Sequence, residues 1–286
     1  MRYVYLAYRV FGNIAREMKP YFLDIREDLQ RANMNYTLEE YLSTAAFTST
    51  VTFFLESVSI AFIFGFLGFS VLVAMLLSTT LSLTISGILL FLFYTYPVTL
   101  SKNRESKIKK VLPFAVSYMA TIASSKLPPI IMFKTLSRFK EYGEVAEESK
   151  NITRDVEVFG MTFSAAIKKQ ARRTPSKEFR ELLWGVNNVF VTGGDIEFYL
   201  KQKGGEFMSD YKRRINKYAQ DISLFVEIYL TLIITGAIFF IVLSSIMSSI
   251  SGGLSTIVIQ SFTIFILLPL LSIGFILILK SISPLE

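Results

Sequence analysis

The chain contains no cysteine and no histidine. Disulfides are therefore excluded, as are zinc, haem and iron-sulfur sites of the usual ligand types, and neither a Ser-His nor a Cys-His nucleophile can be assembled. Charge is scarce as well: 19% of the 286 residues are Asp, Glu, Lys or Arg, against 52% apolar. That balance is too apolar for an ordinary soluble domain. The charge that remains sums to +7, which by itself fits a nucleic acid, an anionic lipid surface or an acidic protein partner.

Nucleotide signatures are missing too. Neither G-x-x-x-x-G-K-[ST] nor G-x-G-x-x-G occurs, so the chain has no P-loop and no dinucleotide fingerprint. No cofactor and no enzymatic activity are expected. Gly193-Gly194-Asp195 has a superficial likeness to the motif of intramembrane aspartyl proteases. Thr192 breaks that motif, however, and no second intramembrane Asp is present to share a proton. The three residues read more simply as a glycine pair that ends one helix and an N-cap Asp that starts the next.

The charges that are present sit in blocks. From Ala45 to Val98 the only charged residue is Glu56, and from Ile222 to Leu279 it is Glu227. Each stretch is far longer than the roughly 20 helical residues of one bilayer crossing, so each must double back. Gly65-Phe66-Leu67-Gly68 marks the first turn, and Ser248-Ser249-Ile250-Ser251-Gly252-Gly253 the second. Four spans are predicted near 46–65, 70–97, 222–247 and 257–279. The basic residues lie before Ala45, between Thr99 and Asp221, and at Lys280, with none in either turn. By the positive-inside rule both termini and the central segment are cytoplasmic, and the protein is multi-pass in the cell membrane.

The expected organisation is a cytoplasmic N-terminal helical segment (1–45), a hairpin (46–98), a cytoplasmic helical domain (99–221), a second hairpin (222–280) and a tail (281–286). The fold class is an all-α membrane protein with a cytoplasmic six-helix bundle between two transmembrane hairpins. Within Tyr21 to Ser43, Phe22, Ile25, Leu29 and Ala32 recur at helical spacing and predict a scaffold helix. The alternative, a membrane-surface anchor, is disfavoured because its polar face mixes acids with bases. Asn33-Met34-Asn35 breaks that helix, and Thr37 with Glu40 predicts a capping box. In the central segment, helices are predicted over 104–124, 129–141, 144–158, 162–173, 176–191 and 195–219, the last running into the third span. Ser176 and Asp195 are the N-caps.

Residues of the central segment also form an ordered series: Leu112-Pro113 opening a helix, Pro128-Pro129, Tyr142-Gly143, Arg154-Asp155, Phe159-Gly160, Ala165-Ala166, Thr174-Pro175-Ser176, Gly185, Gly193-Gly194-Asp195 and Tyr199-Leu200. Flanked by paired spans, it resembles the F domain of type II secretion systems, found in the platform proteins of type II secretion, type IV pilus and archaellum machines. The archaeal branch is the most similar, and the resemblance covers about 112 to 245. One departure is Ser124-Ser125-Lys126, where family members usually have a Gly after the first helix. Many relatives carry two such domains, so this chain is expected to be a single-domain member or half of a longer protein.

The resemblance implies a non-enzymatic platform. In such machines a cytoplasmic hexameric ATPase docks under the platform and drives pilin-like subunits out of the bilayer into a filament. The expected partners are thus that secretion ATPase, pilin-like subunits, membrane lipids, and a second copy in a dimer or trimer or a second platform subunit, without nucleic acid. Lys168, Lys169, Arg172 and Arg173 form two i,i+4 rows. They read either as ATPase-docking residues or as a solvated face partly neutralised by Glu178 and Glu181. Lys212, Arg213, Arg214 and Lys217 read as a juxtamembrane collar against anionic headgroups. Glu56 and Glu227 are intramembrane polar positions. Glu56, in a stripe of Ser and Thr, is assigned to contacts within the bundle or between protomers, with contact to a pilin stalk or a proton path as alternatives. The rival functions are a transporter or channel and a membrane scaffold unrelated to filaments.

Overall fold

The computed structural model describes residues 2–251 and 254–282, and every regular element among them is helical. Two compact units are present, Met1–Gly204 and Gly205–Glu286. Four helices are long and apolar enough to cross a membrane.

The first unit opens with α1 (Arg2–Met18) and α2 (Leu23–Arg31), joined by a short 3-10 turn at Lys19–Phe22. Ile25 and Leu29 of α2 are buried with Leu38 and Tyr41, and Phe22 packs on the edge of this cluster. The predicted apolar face of α2 therefore points inward. Two residues past the end of the helix, Asn33 adopts φ +56, a left-handed conformation that Asn tolerates better than most residues. Helix α3 (Leu38–Phe66) then starts on the predicted capping box: Thr37 Oγ1 accepts from the Glu40 amide, and the Glu40 carboxylate accepts from the Thr37 amide at 2.8 Å. Gly68, at φ +84, turns the chain into α4 (Val71–Ala123). Along α4, Ala74, Ser78, Ser82 and Ser86 recur every fourth residue and are buried. Such a seam of small residues lets two membrane helices approach closely.

Helix α4 corrects the sequence reading. The predicted 70–97 and 104–124 segments form one helix of 53 residues, and Leu112-Pro113 lies inside it rather than opening a new one. A proline in a helix leaves the carbonyl four residues earlier without its partner. For Pro97 that carbonyl belongs to Phe93, and the Tyr41 hydroxyl of α3 donates to it at 2.7 Å. At Lys126, beyond the end of α4, φ is +53. A lysine therefore holds the left-handed position that the expected family glycine would occupy.

Four further helices follow: α5 (Ile130–Leu136), α6 (Gly143–Glu157), α7 (Phe163–Arg173) and α8 (Lys177–Thr192). The predicted 129–141 helix is shorter than expected, stopping at Leu136 before a 3-10 turn at Lys140–Tyr142. Met132, Phe133, Leu136, Val145, Ile152, Ile167, Phe179, Leu182, Leu183 and Val186 form the core of this bundle together with Ile108, Val116 and Met119 of α4. Helix α8 ends in a Schellman arrangement, with the Gly194 amide donating to the Val189 carbonyl at 2.8 Å and Gly193 left-handed at φ +71. Asp195 Oδ1 accepts from the Phe198 amide at 3.0 Å and opens α9 (Ile196–Ile228).

In the second unit α9 gives way to a π-helical turn at Tyr229–Thr235, then α10 (Gly236–Ser251). The predicted turn residues Gly252-Gly253 lie outside the described residues. Helix α11 (Leu254–Phe262), a second π turn at Thr263–Leu267 and α12 (Leu268–Ile282) complete the hairpin. Its arms are pinned where Tyr229 stacks on Phe275 and shares a hydrogen bond with Ser272 at 2.8 Å.

Candidate functional site

The first unit is organised around a buried cation. Arg104, on the first turns of α4 past the predicted span, is 7% exposed. Its Nε donates to Glu144 Oε2 at 2.8 Å, and its Nη2 lies 3.4 Å from Glu148 Oε1, both on α6. Its Nη1 donates to the carbonyl of Arg31, the last residue of α2. A helix end leaves its final carbonyls unpaired and partially negative, so one guanidinium caps α2 and clamps α6 to α4. Planar, multi-donor geometry makes Arg the residue for this task. Burial pushes the Glu148 carboxyl up to about 7, and the pull of Thr174, Arg104 and Gln170 reverses this only in part.

A second ion pair, of a buried carboxylate and a partly exposed lysine, runs between α6 and α7. Asp155, 3% exposed, accepts from Lys169 Nζ, with the closest oxygen at 2.8 Å. The four basic residues singled out on α7 are thus divided. Lys169 is committed to Asp155, and Arg173 lines a cleft with Tyr8, Lys19, Arg26, Tyr36 and Glu39 of the N-terminal segment. By exposure the two i,i+4 rows are alike, Lys168 and Lys169 half-buried and Arg172 and Arg173 exposed; what separates them is the Lys169–Asp155 pair and the place of Arg173 on the cleft. Glu178, expected to neutralise this helix, pairs instead with Lys109 of α4 at 2.8 Å.

The chain path sets the two ends of this bundle. Helices α4 and α8 run away from the membrane-spanning part of α4, and their far ends meet the starts of α5, α7 and α9. Phe163 of α7 packs edge-on against Phe190 of α8, with ring centroids 4.9 Å apart, and Lys126 and Leu127 line a pocket with Asp195 and Ile196. Leu127, Val158, Phe159, Val191 and Phe198 are exposed at this far end. The sequence reading missed them because scattered surface apolar residues carry no signal until a fold gathers them.

The residues of the ordered series acquire separate roles. Leu112 and Pro113 are buried in α4, and Pro175 is buried at the α7–α8 corner. Gly160 has φ +66 and turns α6 toward α7. Gly194, unlike Gly193, has no left-handed φ; its place is the sixth residue of the Schellman ring. Gly185 and Tyr199 belong together, since a Cβ at Gly185 would overlap the end of the Tyr199 ring.

The intramembrane carboxyls differ from each other. Glu56 is half-buried, and its Oε2 is enclosed without a hydrogen-bond partner among the described residues. Glu227 is exposed on α9, two residues before the π-helical segment. Of the four residues expected to form a collar, Lys212, Arg213 and Lys217 are exposed and Arg214 is half-buried; Arg213 pairs with Asp210.

Residues 115–244 match the family model described as type II secretion system (T2SS), protein F. Among curated proteins, an uncharacterized protein of Methanocaldococcus jannaschii is 24% identical over 161 residues, covering 56% of this chain and 27% of that protein. The flagella accessory protein J of the same organism is 24% identical over 166 residues, 54% of this chain and 30% of that one. A further uncharacterized protein from it is 34% identical over 91 residues, 31% of this chain and 27% of its own length. The chain therefore spans less than a third of the length of these relatives. No solved structure matches it significantly. From Pro128-Pro129 onward the ordered turns and glycines of the bundle coincide with the matched region, which is similar to the F domain of type II secretion systems, and archaeal proteins are among the chain's relatives.

Proposed function

We propose that this protein is a non-enzymatic membrane platform of a type IV filament or type II secretion machine, with both termini and the F-type bundle in the cytoplasm. It takes up the conformational work of a cytoplasmic hexameric ATPase and passes it to pilin-like subunits in the bilayer. The observation that carries this reading is helix α4, whose 53 residues span about 80 Å at about 1.5 Å per residue. One uninterrupted helix belongs to both the membrane hairpin and the bundle. Displacement of the bundle is then a displacement of the span, because no loop lies between them to absorb it. The Arg104 clamp on α2 and α6 makes the load path a packed unit rather than one exposed helix.

Docking of the ATPase is assigned to the outward parts of the bundle, the Lys168–Arg172 row and the apolar far end around Val158, Phe159 and Val191. The Glu56 carboxyl, enclosed and unpartnered in its hairpin, is assigned to a contact with a second copy of the chain. The test is co-reconstitution in proteoliposomes with the hexameric secretion ATPase from the same genome. Binding of the ATPase and stimulation of its ATP hydrolysis are expected. An ATPase that neither binds nor responds overturns the platform reading.

A further inference from the structure

We propose that α1 is an interfacial membrane helix, lying in the headgroup region of the leaflet on the bundle side, with its outer apolar stripe in the acyl boundary. The proposal is independent of any ATPase or filament.

Three sides of α1 are chemically distinct. Ala7, Gly12 and Ala15 are buried, and this face packs along the start of α3. The helix runs antiparallel to α3: Tyr3 shares a 2.7 Å hydrogen bond with Thr48, while Lys19, just past its far end, is 2.8 Å from Glu39. A second side carries Tyr3, Leu6, Val10 and Ile14 at three- and four-residue spacing. Leu6 is 51% exposed, Val10 61% and Ile14 49%. Arg9 and Arg16, seven residues apart, lie along a third side and are exposed, and Glu17 is the only acid in the helix.

The lipid surface is identified as the occupant by position and by charge. Thr48 lies within the stretch that begins at Ala45 and carries Glu56 as its only charge. The hydrogen bond from Tyr3 therefore places the start of α1 beside the entry of α3 into the bilayer. Within two turns of Thr48 along α3, Val51 and Phe54 are exposed as well. An apolar face beside a row of arginines is the composition that binds headgroups and acyl boundary together. Helix α2 contrasts with it, mixing acids with bases and placing Ile25 and Leu29 inside the protein.

The absence of native cysteine makes a direct test available. Single variants Leu6→Cys, Val10→Cys and Lys177→Cys are spin-labelled in the full chain. Each is reconstituted in vesicles of mixed phosphatidylcholine and phosphatidylglycerol, after retained size-exclusion elution confirms folding. Labels at 6 and 10 are expected to collide more with oxygen than with a water-soluble nickel chelate, and the label at 177 to show the reverse. In vesicles without phosphatidylglycerol the labels at 6 and 10 should shift toward the aqueous value. Nickel accessibility at 6 and 10 equal to that at 177 overturns the proposal. Protection from both reagents also overturns it, since the stripe would then be covered by protein, such as a second copy.

Discussion

The Tyr41 hydroxyl stands 2.7 Å from the carbonyl of Phe93, the one carbonyl that Pro97 deprives of its helical partner. The membrane entry of α3 thus repairs a defect in α4, and the long helix continues through its proline. Leaving a buried carbonyl unpaired costs about 1–3 kcal/mol. Tyr41→Phe should therefore lower the thermal midpoint in detergent. In a Pro97→Ala background the backbone amide is restored, and the same substitution should cost much less. Equal losses in the two backgrounds would show that the hydroxyl does not serve this carbonyl.

Glu148 gives the bundle a pH dependence of defined sign. Its folded carboxyl titrates at about 7, raised by burial from an ordinary value of 4.5, so the folded state holds the proton more tightly than the unfolded state. Stability from this group is complete below the unfolded value and is lost as pH rises through the folded one, by about 3 kcal/mol at most. Asp28, also raised by burial, contributes a slope of the same sign. The measurement is therefore the difference between wild type and Glu148→Gln: the variant should lose much of the decline between roughly pH 5 and 7. Identical pH profiles would place the proton elsewhere.

Gly185 and Tyr199 form a close approach between α8 and α9. An alanine gains up to about 1 kcal/mol of helix propensity over glycine, but its Cβ would have to displace the Tyr199 ring. Overpacking of this kind typically costs about 1–3 kcal/mol. Gly185→Ala should destabilise the wild-type chain and become neutral or stabilising when Tyr199→Leu removes the obstruction. A stabilising effect in the wild-type background would mean that the ring swings away freely.

These relationships separate what was readable in the sequence from what was not. Local chemistry was readable: the Thr37–Glu40 box, the Ser176 cap and the Gly193-Gly194-Asp195 corner each depend on residues within about one helical turn. The four spans were readable because charge is excluded over lengths set by the bilayer. The continuity of α4 was not, because the group that tolerates Pro97 comes from Tyr41, 52 residues away. Arg104 and Glu148 escaped notice for a related reason. In sequence they are two charges among many in a helix-forming segment, and only tertiary packing distinguishes a buried clamp from a solvated surface. The two i,i+4 rows of α7 were readable from spacing, but that Lys169 pairs with Asp155 of α6 was not, because that contact comes from tertiary packing.

That division decides the docking prediction. Lys168 and Arg172 lie on the outward row, whereas Lys169 is held by buried Asp155 and Arg173 lines the N-terminal cleft. Charge reversal on the outward row, Lys168→Glu with Arg172→Glu, should weaken binding of the ATPase while changing the unfolding free energy by no more than about 0.5 kcal/mol, as for surface substitutions. The loss should shrink as salt is raised, because wild-type binding through exposed charges is itself screened. Charge reversal on the other row, Lys169→Glu with Arg173→Glu, leaves the buried Asp155 carboxylate without its cation and should lower the thermal midpoint clearly more than the outward variant does. Pull-down at low and high salt, paired with thermal unfolding of both double variants, separates the effects. If the outward variant binds the ATPase as tightly as wild type at low salt, the basic row is a solvated face. Docking would then fall to the apolar far end, where Val158→Ser with Phe159→Ser should abolish it.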